Sequence, residues 1–243
     1  MACYIRAVLK PTKIPFLHVL LLLLLSLALS SSVLAAEAPR PRPGTRYLYL
    51  IRHGAYDRVD SLDDRTANGL NALGRVQARL LAERLRSLPI HPRVLVTSGL
   101  TRARETGDEL ASVLHLEAAR DSLLEECSPP ATTDSTATDA DRAESRACSA
   151  QLEAAWARYV RPSPEADAHD LLVCHGNVIR WFLARALQAD TKRWITMSIG
   201  NASLTILAVR PDGTVRLVMY SDVGHIPVEK QTWTGSGPGW LRP

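Results

Sequence analysis

Residues 48–58, LYLIRHGAYDR, are the stretch that decides the fold. An apolar run predicted as a strand stops there at two polar residues and a glycine. The apolar run at residues 47–51 predicts a buried β-strand. It ends at Arg52, which carries a guanidinium group, at His53, which carries an imidazole ring, and at Gly54, which has no side chain. A strand that merely leaves the core would end in this way, with a surface arginine and a turn glycine. A strand with a binding site at its carboxyl end would do so too, since open α/β sheets place ligands there.

A second apolar run ends in the same way. Residues 171–174 (LLVC) are followed by His175, Gly176 and Asn177. The carboxyl ends of parallel strands lie at one edge of a sheet, so the sequence places this histidine beside His53. A core has no packing reason to repeat His-Gly at two strand ends, and the repetition favours the binding-site interpretation.

A third β-rich run adds an arginine to the same edge. Residues 93–97 (RVLVT) lead into a helix predicted over residues 100–114. Ser98 or Thr101 can cap that helix, which places Arg102 in its first turn. The sequence therefore predicts two histidines, two arginines and helix N-termini around one point.

The remaining periodicities complete an α/β pattern. Leucines at helical spacing predict a helix that Asn71 caps and that ends before Pro89. Further elements are predicted as helices at 141–160 and 177–187 and as a hairpin of strands at 204–209 and 215–220. Strands alternating with helices predict a three-layer α/β sandwich, with a mostly parallel central sheet and helices on both faces.

The N-terminus has the composition of a targeting segment. A basic start with Arg6, Lys10 and Lys13 precedes an apolar stretch and small residues, which predicts a secretory signal peptide at residues 1–35. An uncleaved membrane anchor is the alternative, because the apolar run is near the minimum length of a span. We therefore expect a periplasmic or secreted protein that contacts a membrane only if this segment is retained.

The rest of the chain divides into a Pro-rich linker at residues 36–45, a domain at 46–229 and a flexible tail at 230–243. Residues 1–35 hold three of the 29 basic residues and none of the 25 acidic ones, so the remainder has a formal net charge of +1. This balance gives no reason to expect a nucleic-acid partner.

Three cysteines follow the predicted signal peptide. Cys127 and Cys148 flank a polar segment with little capacity to form a core, and a disulfide between them is favoured in an oxidising compartment. Two free surface thiols are the alternative. Cys174 lies in an apolar run, which predicts a buried and inert thiol.

The residues gathered at the predicted edge suit phosphoryl transfer. Guanidinium groups and helix N-termini bind the non-bridging oxygens of a phosphate. A neutral imidazole can displace a phosphoester as nucleophile, and a second one can hydrogen-bond to the transferring group. Gly54 and Gly176 would let the substrate approach the backbone. The leaving alkoxide needs an acid, for which Glu125 and Glu126 are candidates.

The ordered motifs resemble the histidine phosphatase (phosphoglycerate-mutase-like) superfamily over about residues 46–225. The matching segments are IRHG, LNALGRVQA, TSGLTRARET, LLEE and CHGNVIR. Within the superfamily they are most similar to the mitochondrial serine/threonine protein phosphatases of this fold and their bacterial relatives. The resemblance implies the phosphoglycerate-mutase-like fold and a phosphohistidine intermediate, with no metal and no cofactor.

The resemblance also implies roles for individual positions. The catalytic positions are His53 as nucleophile, Arg52 and Arg102 as phosphate clamps, His175 as second histidine and Glu126 as general acid, with Glu125 as second choice. The substrate-binding positions are Gly54, Arg65, Gly176 and Asn177. The relatives have Gly and Ala after the acid, whereas this chain has Cys127 and Ser128, which leaves substrate preference open.

We therefore expect a metal-independent phosphomonoesterase that acts on a phosphorylated small molecule or a phosphoprotein. A serine/threonine phosphoprotein phosphatase and an envelope sugar-phosphate phosphatase are the alternatives within the fold. The short segment at residues 127–148 disfavours a phosphomutase, and the filled catalytic positions disfavour an inactive binding module. A metal hydrolase is disfavoured because no His-x-x-His spacing appears and Arg52 would repel a metal ion. The sequence indicates no oligomeric state.

Overall fold

The computed structural model of the protein describes residues 42–133 and 137–234. The predicted signal peptide at 1–35, most of the predicted linker and the end of the predicted tail lie outside these residues. Within the described ranges, no helix is both long enough and apolar enough to cross a membrane.

The described residues form eight strands and four α-helices. The strands are β1 (Arg46–Arg52), β2 (Val94–Thr97), β3 (Ala118–Arg120), β4 (Ala168–Cys174), β5 (Ile199–Gly200), β6 (Leu204–Val209), β7 (Val215–Asp222) and β8 (Trp233–Thr234). The helices are α1 (Ala72–Ser87), α2 (Thr101–Leu114), α3 (Asp139–Tyr159) and α4 (Gly176–Ala186). Short 3₁₀ helices lie at Ser122–Leu124, Thr191–Thr196 and Val228–Lys230.

A six-stranded sheet in the order β3-β2-β4-β1-β6-β7 forms the centre of the molecule. Strands β3, β2, β4 and β1 are parallel, while β6 and β7 continue the sheet antiparallel. The predicted mostly parallel central sheet is therefore confirmed.

The side chains of β1 alternate between two hydrophobic cores. Leu48 and Leu50 belong to the core that includes Phe182 of α4 and Leu152 of α3. Tyr49 and Ile51 belong to the other core, with leucines and alanines of α1 and α2. Because strand side chains alternate with a period of two, this division places two helices on each face of the sheet. The three-layer sandwich is confirmed.

The ends of α1 follow the sequence signals, whereas the start of α2 does not. The Asn71 side chain accepts a hydrogen bond from the Gly74 amide, as an N-cap does. The predicted capping of α2 by Ser98 or Thr101 is wrong, because its N-cap residue is Leu100 and has no side-chain cap. The Thr101 hydroxyl instead donates to the Asp64 carbonyl, 3.0 Å away.

Two sheet segments gave no clear sequence signal. Strand β3 is short and exposed, and β5 with β8 forms a separate two-stranded sheet. The pairing of β8 with β5 places residues 233–234 in a strand, within the segment predicted from residue 230 as a flexible tail. The Gln77 amide also donates to the Lys230 carbonyl at 2.7 Å. Both partners of the tail lie far away in sequence, which is why local composition did not indicate the contact.

Replacing Gly74 by alanine should destabilise the protein, although alanine is the better helix former. A Cβ atom at this position would lie 2.0 Å from the carbonyl oxygen of Ala55, so backbone must move. We expect the free energy of unfolding to fall by about 2 kcal/mol, since overpacking outweighs a propensity gain of about 1 kcal/mol. Denaturant titration measures the change, with the exposed Val76→Ala substitution in the same helix as control. Unchanged or increased stability of Gly74→Ala would contradict the close packing of α1 on the loop after β1.

Candidate active site

The register of the parallel strands brings the two histidines together. Arg52 on β1 is paired with Cys174 on β4, so the next residue of each strand is a histidine at the same edge. The His53 amide donates to the Cys174 carbonyl at 3.1 Å, and the ring centroids of His53 and His175 lie 5.1 Å apart. The predicted convergence of the two His-Gly strand ends is confirmed.

Four polar side chains at this edge are almost fully buried. The exposed fractions are 7% for Arg52, 2% for His53, 2% for Arg102 and 0% for His175. Two guanidinium groups with so little contact to water form a strongly electropositive pocket. A pocket of this kind favours an anion whose charge replaces the lost solvation.

His53 is held as a neutral imidazole whose Nε2 atom carries no proton. Its Nδ1 lies 2.8 Å from the Gly54 carbonyl, and its Nε2 accepts from Nε of Arg102 at 3.3 Å. The proton therefore resides on Nδ1. Burial, followed by the charges of Arg52 and Arg102, lowers the pKa of His53 well below its usual value. An unprotonated imidazole nitrogen can act as a nucleophile at neutral pH.

Arg102 lies between the nucleophile and the loop after β1. Its Nη1 is 2.9 Å from Oδ2 of Asp64, and its guanidinium stacks 4.7 Å above the centre of the Tyr56 ring. Burial favours the protonated form of Asp64, but hydrogen bonds from Arg102 and Asn68 lower the pKa of its carboxyl. The ion pair therefore fixes the guanidinium beside His53.

Arg52 is held by the segments around β5 and β8. Its Nη1 donates to the Ile199 carbonyl at 2.7 Å, and its Nη2 donates to the Thr234 hydroxyl. Its Nε is buried and has no partner among the described residues. Burial lowers the pKa of Arg52 to about 10, so the group keeps its charge at neutral pH.

His175 is oriented by Ser98. The Ser98 oxygen accepts from the Leu100 amide at 3.2 Å, which leaves its hydroxyl proton for Nε2 of His175, 2.7 Å away. Burial and the neighbouring positive groups lower the pKa of His175 well below its usual value. When the Ser98 hydroxyl donates to Nε2, the neutral ring carries its proton on Nδ1, a buried atom without a partner in the described part of the chain. That N–H can donate to a bound phosphoryl group.

The two candidate acids have different partners in the structure. Oε1 of Glu126 accepts from the Asn177 amide at the start of α4, 3.2 Å away. Burial raises the pKa of Glu126 although Arg52 and Arg102 act in the opposite direction, and a raised pKa suits a proton donor. Glu125 instead pairs with the exposed Arg65 at 2.6 Å. The geometry favours Glu126.

The predicted substrate-binding positions fall into two groups. A Cβ atom at Gly176 would lie 3.3 Å from Cγ2 of Ile199 and 3.6 Å from Nε of Arg52, so this glycine lies directly against both side chains. A Cβ atom at Gly54 would lie 2.5 Å from the Gly74 carbonyl oxygen, so this glycine is required for packing rather than for access. Asn177 lies beside Glu126 as described above, whereas Arg65 pairs with Glu125 and with none of the four buried side chains.

Two residues at the site were missed by sequence reasoning. Arg180 is buried, stacks 4.7 Å from the Trp194 ring centre and donates to the Met197 carbonyl at 3.0 Å. Its position one helical turn after Gly176 was the available signal, because residues four apart share a helix face. Asn201 donates through its side chain to the His53 carbonyl at 3.2 Å. No local pattern points to this asparagine, since its partner is 148 residues away.

The cysteines take the predicted forms. Cys127 and Cys148 are joined in a disulfide, and Cys174 is free and buried in the core. Burial raises the pKa of the Cys174 thiol, which therefore stays protonated and unreactive.

Comparison with known proteins identifies the family. The model of the histidine phosphatase superfamily (branch 1) matches residues 48–222. The mitochondrial serine/threonine-protein phosphatase Pgam5 of Caenorhabditis briggsae is 37% identical over 196 residues, covering 78% of this chain and 68% of the relative. The phosphoglycerate mutase structure from Plasmodium falciparum has a TM-score of 0.54 at 25% identity, covering 76% of this chain and 95% of that one. The structure of a mycobacterial glucosyl-3-phosphoglycerate phosphatase in complex with inorganic phosphate has a TM-score of 0.51 at 25% identity. The match covers 75% of this chain and 100% of that one.

These relatives correct the predicted location. The curated relatives from nematode, frog and mouse are named as mitochondrial proteins, so the expectation of a periplasmic or secreted protein is wrong. That expectation depended on the order of basic, apolar and small residues at the N-terminus, and this order alone does not identify a compartment.

The phosphoglycerate-mutase-like fold is confirmed by the similarity to solved structures. The family model covers well over half of the chain, and the curated relatives are named as phosphatases. The chain therefore belongs to the histidine phosphatase superfamily, branch 1, and is a phosphoric monoester hydrolase.

Proposed function

We propose that the protein hydrolyses phosphate monoesters through a phosphohistidine formed on Nε2 of His53. One observation carries the proposal: this nitrogen is unprotonated and lies in a buried site beside the guanidinium groups of Arg52 and Arg102. The Gly54 carbonyl holds the proton on the opposite ring nitrogen, so no base is needed to activate the nucleophile.

The first half of the reaction transfers the phosphoryl group to the enzyme. The Nε2 electron pair forms a bond to phosphorus while the bond from phosphorus to the ester oxygen breaks. Glu126 gives its proton to the leaving oxygen, so the substrate departs as an alcohol. Arg52 and Arg102 bind the equatorial oxygens, and His175 donates from Nδ1 to the charge that they carry in the transition state.

The second half releases phosphate. A water molecule attacks the phosphohistidine, the bond between nitrogen and phosphorus breaks, and its electron pair returns to His53. The Glu126 carboxylate accepts the proton of the attacking water and is ready as an acid again. One ester and one water have then become one alcohol and one inorganic phosphate.

For the substrate, we propose phosphoserine or phosphothreonine on a protein. The support is the identity of 34–37% to relatives named serine/threonine-protein phosphatases. The mycobacterial sugar-phosphate phosphatase is less similar, at 25% identity. Release of phosphate from a phosphoserine peptide, compared with a sugar phosphate at equal concentration, distinguishes the two classes by their kcat/KM values.

The proposed reaction is tested with the full-length chain in EDTA. Turnover of p-nitrophenyl phosphate should persist in the chelator, because the arginines supply the positive charge that the phosphoryl group needs. Activity that requires an added divalent metal would contradict the proposed mechanism.

The pH dependence should separate the roles of His53 and Glu126. Burial lowers the pKa of His53, so the nucleophile remains neutral well below pH of about 6.5. The pKa of Glu126 is raised, and its catalytic proton is lost as the pH rises through that pKa. The ratio of kcat/KM between wild type and Glu126→Gln on an alkyl phosphate should therefore decrease with increasing pH. Substrate ionisation cancels in this ratio, and a ratio independent of pH would contradict the role of Glu126 as acid.

A further inference from the structure

The proposed acid lies on a segment without regular secondary structure. The 3₁₀ helix ends at Leu124, and residues 125–131 belong to no helix or strand. Arg52, His53 and His175 lie at strand ends and Arg102 lies on α2, where backbone hydrogen bonds fix their positions. Glu126 must therefore be positioned by contacts of another kind.

Besides the contact of the Asn177 amide with Glu126 and the Trp194 hydrogen bonds to the Pro129 and Pro130 carbonyls, three tethers join the residues on either side of the acid to α3 and α4. The first is the disulfide from Cys127, the residue directly after the acid, to Cys148 on α3. The second is the Gln151 side chain on the same helix, which donates to the Glu125 carbonyl at 2.8 Å. The third is the Asn177 side chain, which donates to the Cys127 carbonyl at 2.9 Å.

The disulfide is the strongest of these tethers and has a rigid anchor. Cys148 is only 3% exposed and belongs to the core that also contains Leu152 and Phe182. A covalent link from this helix to the residue next to Glu126 limits the movement of the acid. The two hydrogen bonds are partly buried, and each contributes only about 1 kcal/mol.

We propose that the Cys127–Cys148 disulfide is a positioning device for Glu126, which makes proton donation to the leaving group sensitive to redox state. The inference rests on the proposed function. A dithiol supplies two electrons and two protons, the bond between the sulfur atoms breaks, and two thiols and an oxidised dithiol result. The nucleophile, the arginines and His175 do not depend on this bond, so reduction impairs protonation and leaves phosphate binding intact.

A comparison of two leaving groups tests this selectivity. p-Nitrophenolate leaves without help from an acid, whereas an alkoxide needs protonation. After reduction of the full-length protein by a dithiol, kcat/KM for an alkyl phosphate should fall by about tenfold, since part of a general-acid contribution of roughly 10²-fold is lost. The value for p-nitrophenyl phosphate should change by less than about twofold.

Matched variants identify the groups involved. Cys127→Ser/Cys148→Ser should behave under oxidising conditions like the reduced wild type and should not respond to dithiol. Cys174→Ala should keep the wild-type response, which excludes the buried thiol as the sensor. Glu126→Gln should lose more kcat/KM on the alkyl phosphate than the reduced wild type does, again with little change on p-nitrophenyl phosphate. Its activity should not respond to reduction.

Several outcomes would overturn the inference. Equal loss of activity on both substrates, together with a lower melting temperature, would indicate a purely structural disulfide. Unchanged activity on both substrates would show that the tether is dispensable. If Glu126→Gln loses the same activity on both substrates, Glu126 is not the general acid. The proposed function is then wrong at this point, and the inference that rests on it is wrong too.

Discussion

Replacing His53 by alanine is expected to reduce kcat/KM for p-nitrophenyl phosphate by at least about 10⁴-fold. The substitution removes the only atom proposed to bond to phosphorus. Neither arginine can take its place, because an arginine side chain stays protonated at neutral pH and has no electron pair to offer. Steady-state kinetics at saturating and limiting substrate measure the loss.

The matched control for this substitution is His91→Ala. His91 is an exposed histidine of the loop between α1 and β2, far from the carboxyl edge of the sheet, and its loss should change kcat/KM by less than about twofold. If His53→Ala kept more than about a hundredth of the wild-type activity, another group would have to be the nucleophile.

Arg102→Ala has the second largest expected effect, a loss of about 10³-fold in kcat/KM. Its guanidinium is buried beside His53 and is held there by Asp64, so its removal takes away the positive charge next to the proposed nucleophile. Without that charge the pKa of His53 also rises, because Arg102 helps to lower it. The acidic limb of the pH profile should therefore move towards higher pH.

Arg104→Ala is the control for Arg102 because the two residues lie two positions apart on α2. The Arg104 guanidinium donates to the Arg65 carbonyl and the Thr101 hydroxyl, at 3.1 and 3.3 Å. Its removal should lower kcat/KM by less than about threefold. Similar losses in both variants would mean that net positive charge at the mouth matters, rather than a buried clamp.

The sequence predicted the part of the fold that local periodicity determines. Alternating apolar residues in β1 and leucines at helical spacing in α1 gave these elements within one or two residues. The repeated His-Gly at two strand ends predicted that His53 and His175 meet, since parallel pairing leaves little freedom in where the next residue goes.

The sequence could not predict contacts that depend on distant segments. Thr234 reaches Arg52 across 182 residues, and Asn201 reaches the His53 carbonyl across 148. Ser98 is a residue type that often caps helices, yet its hydroxyl oxygen lies within hydrogen-bond distance of the His175 ring. These interactions follow from the packing of whole elements, which no short window of sequence contains.

The resemblance favoured Glu126 over Glu125, but the physical difference between the two carboxylates needed the structure for a similar reason. Adjacent residues on an irregular segment point in different directions, and composition does not indicate which one faces the pocket. The Asn177 amide donates a hydrogen bond to the Glu126 carboxylate, and the Arg65 guanidinium donates one to the Glu125 carboxylate. This division separates the proposed acid from a charge at the rim of the site.

Trapping the phosphorylated enzyme tests the central claim most directly. The full-length protein is mixed with labelled substrate, quenched within one turnover and digested, and the labelled peptide is sequenced. The proposed mechanism predicts one acid-labile, base-stable phosphoryl group on His53, absent from His53→Ala. A label on another residue, or turnover without any covalent phosphoryl intermediate, would contradict it.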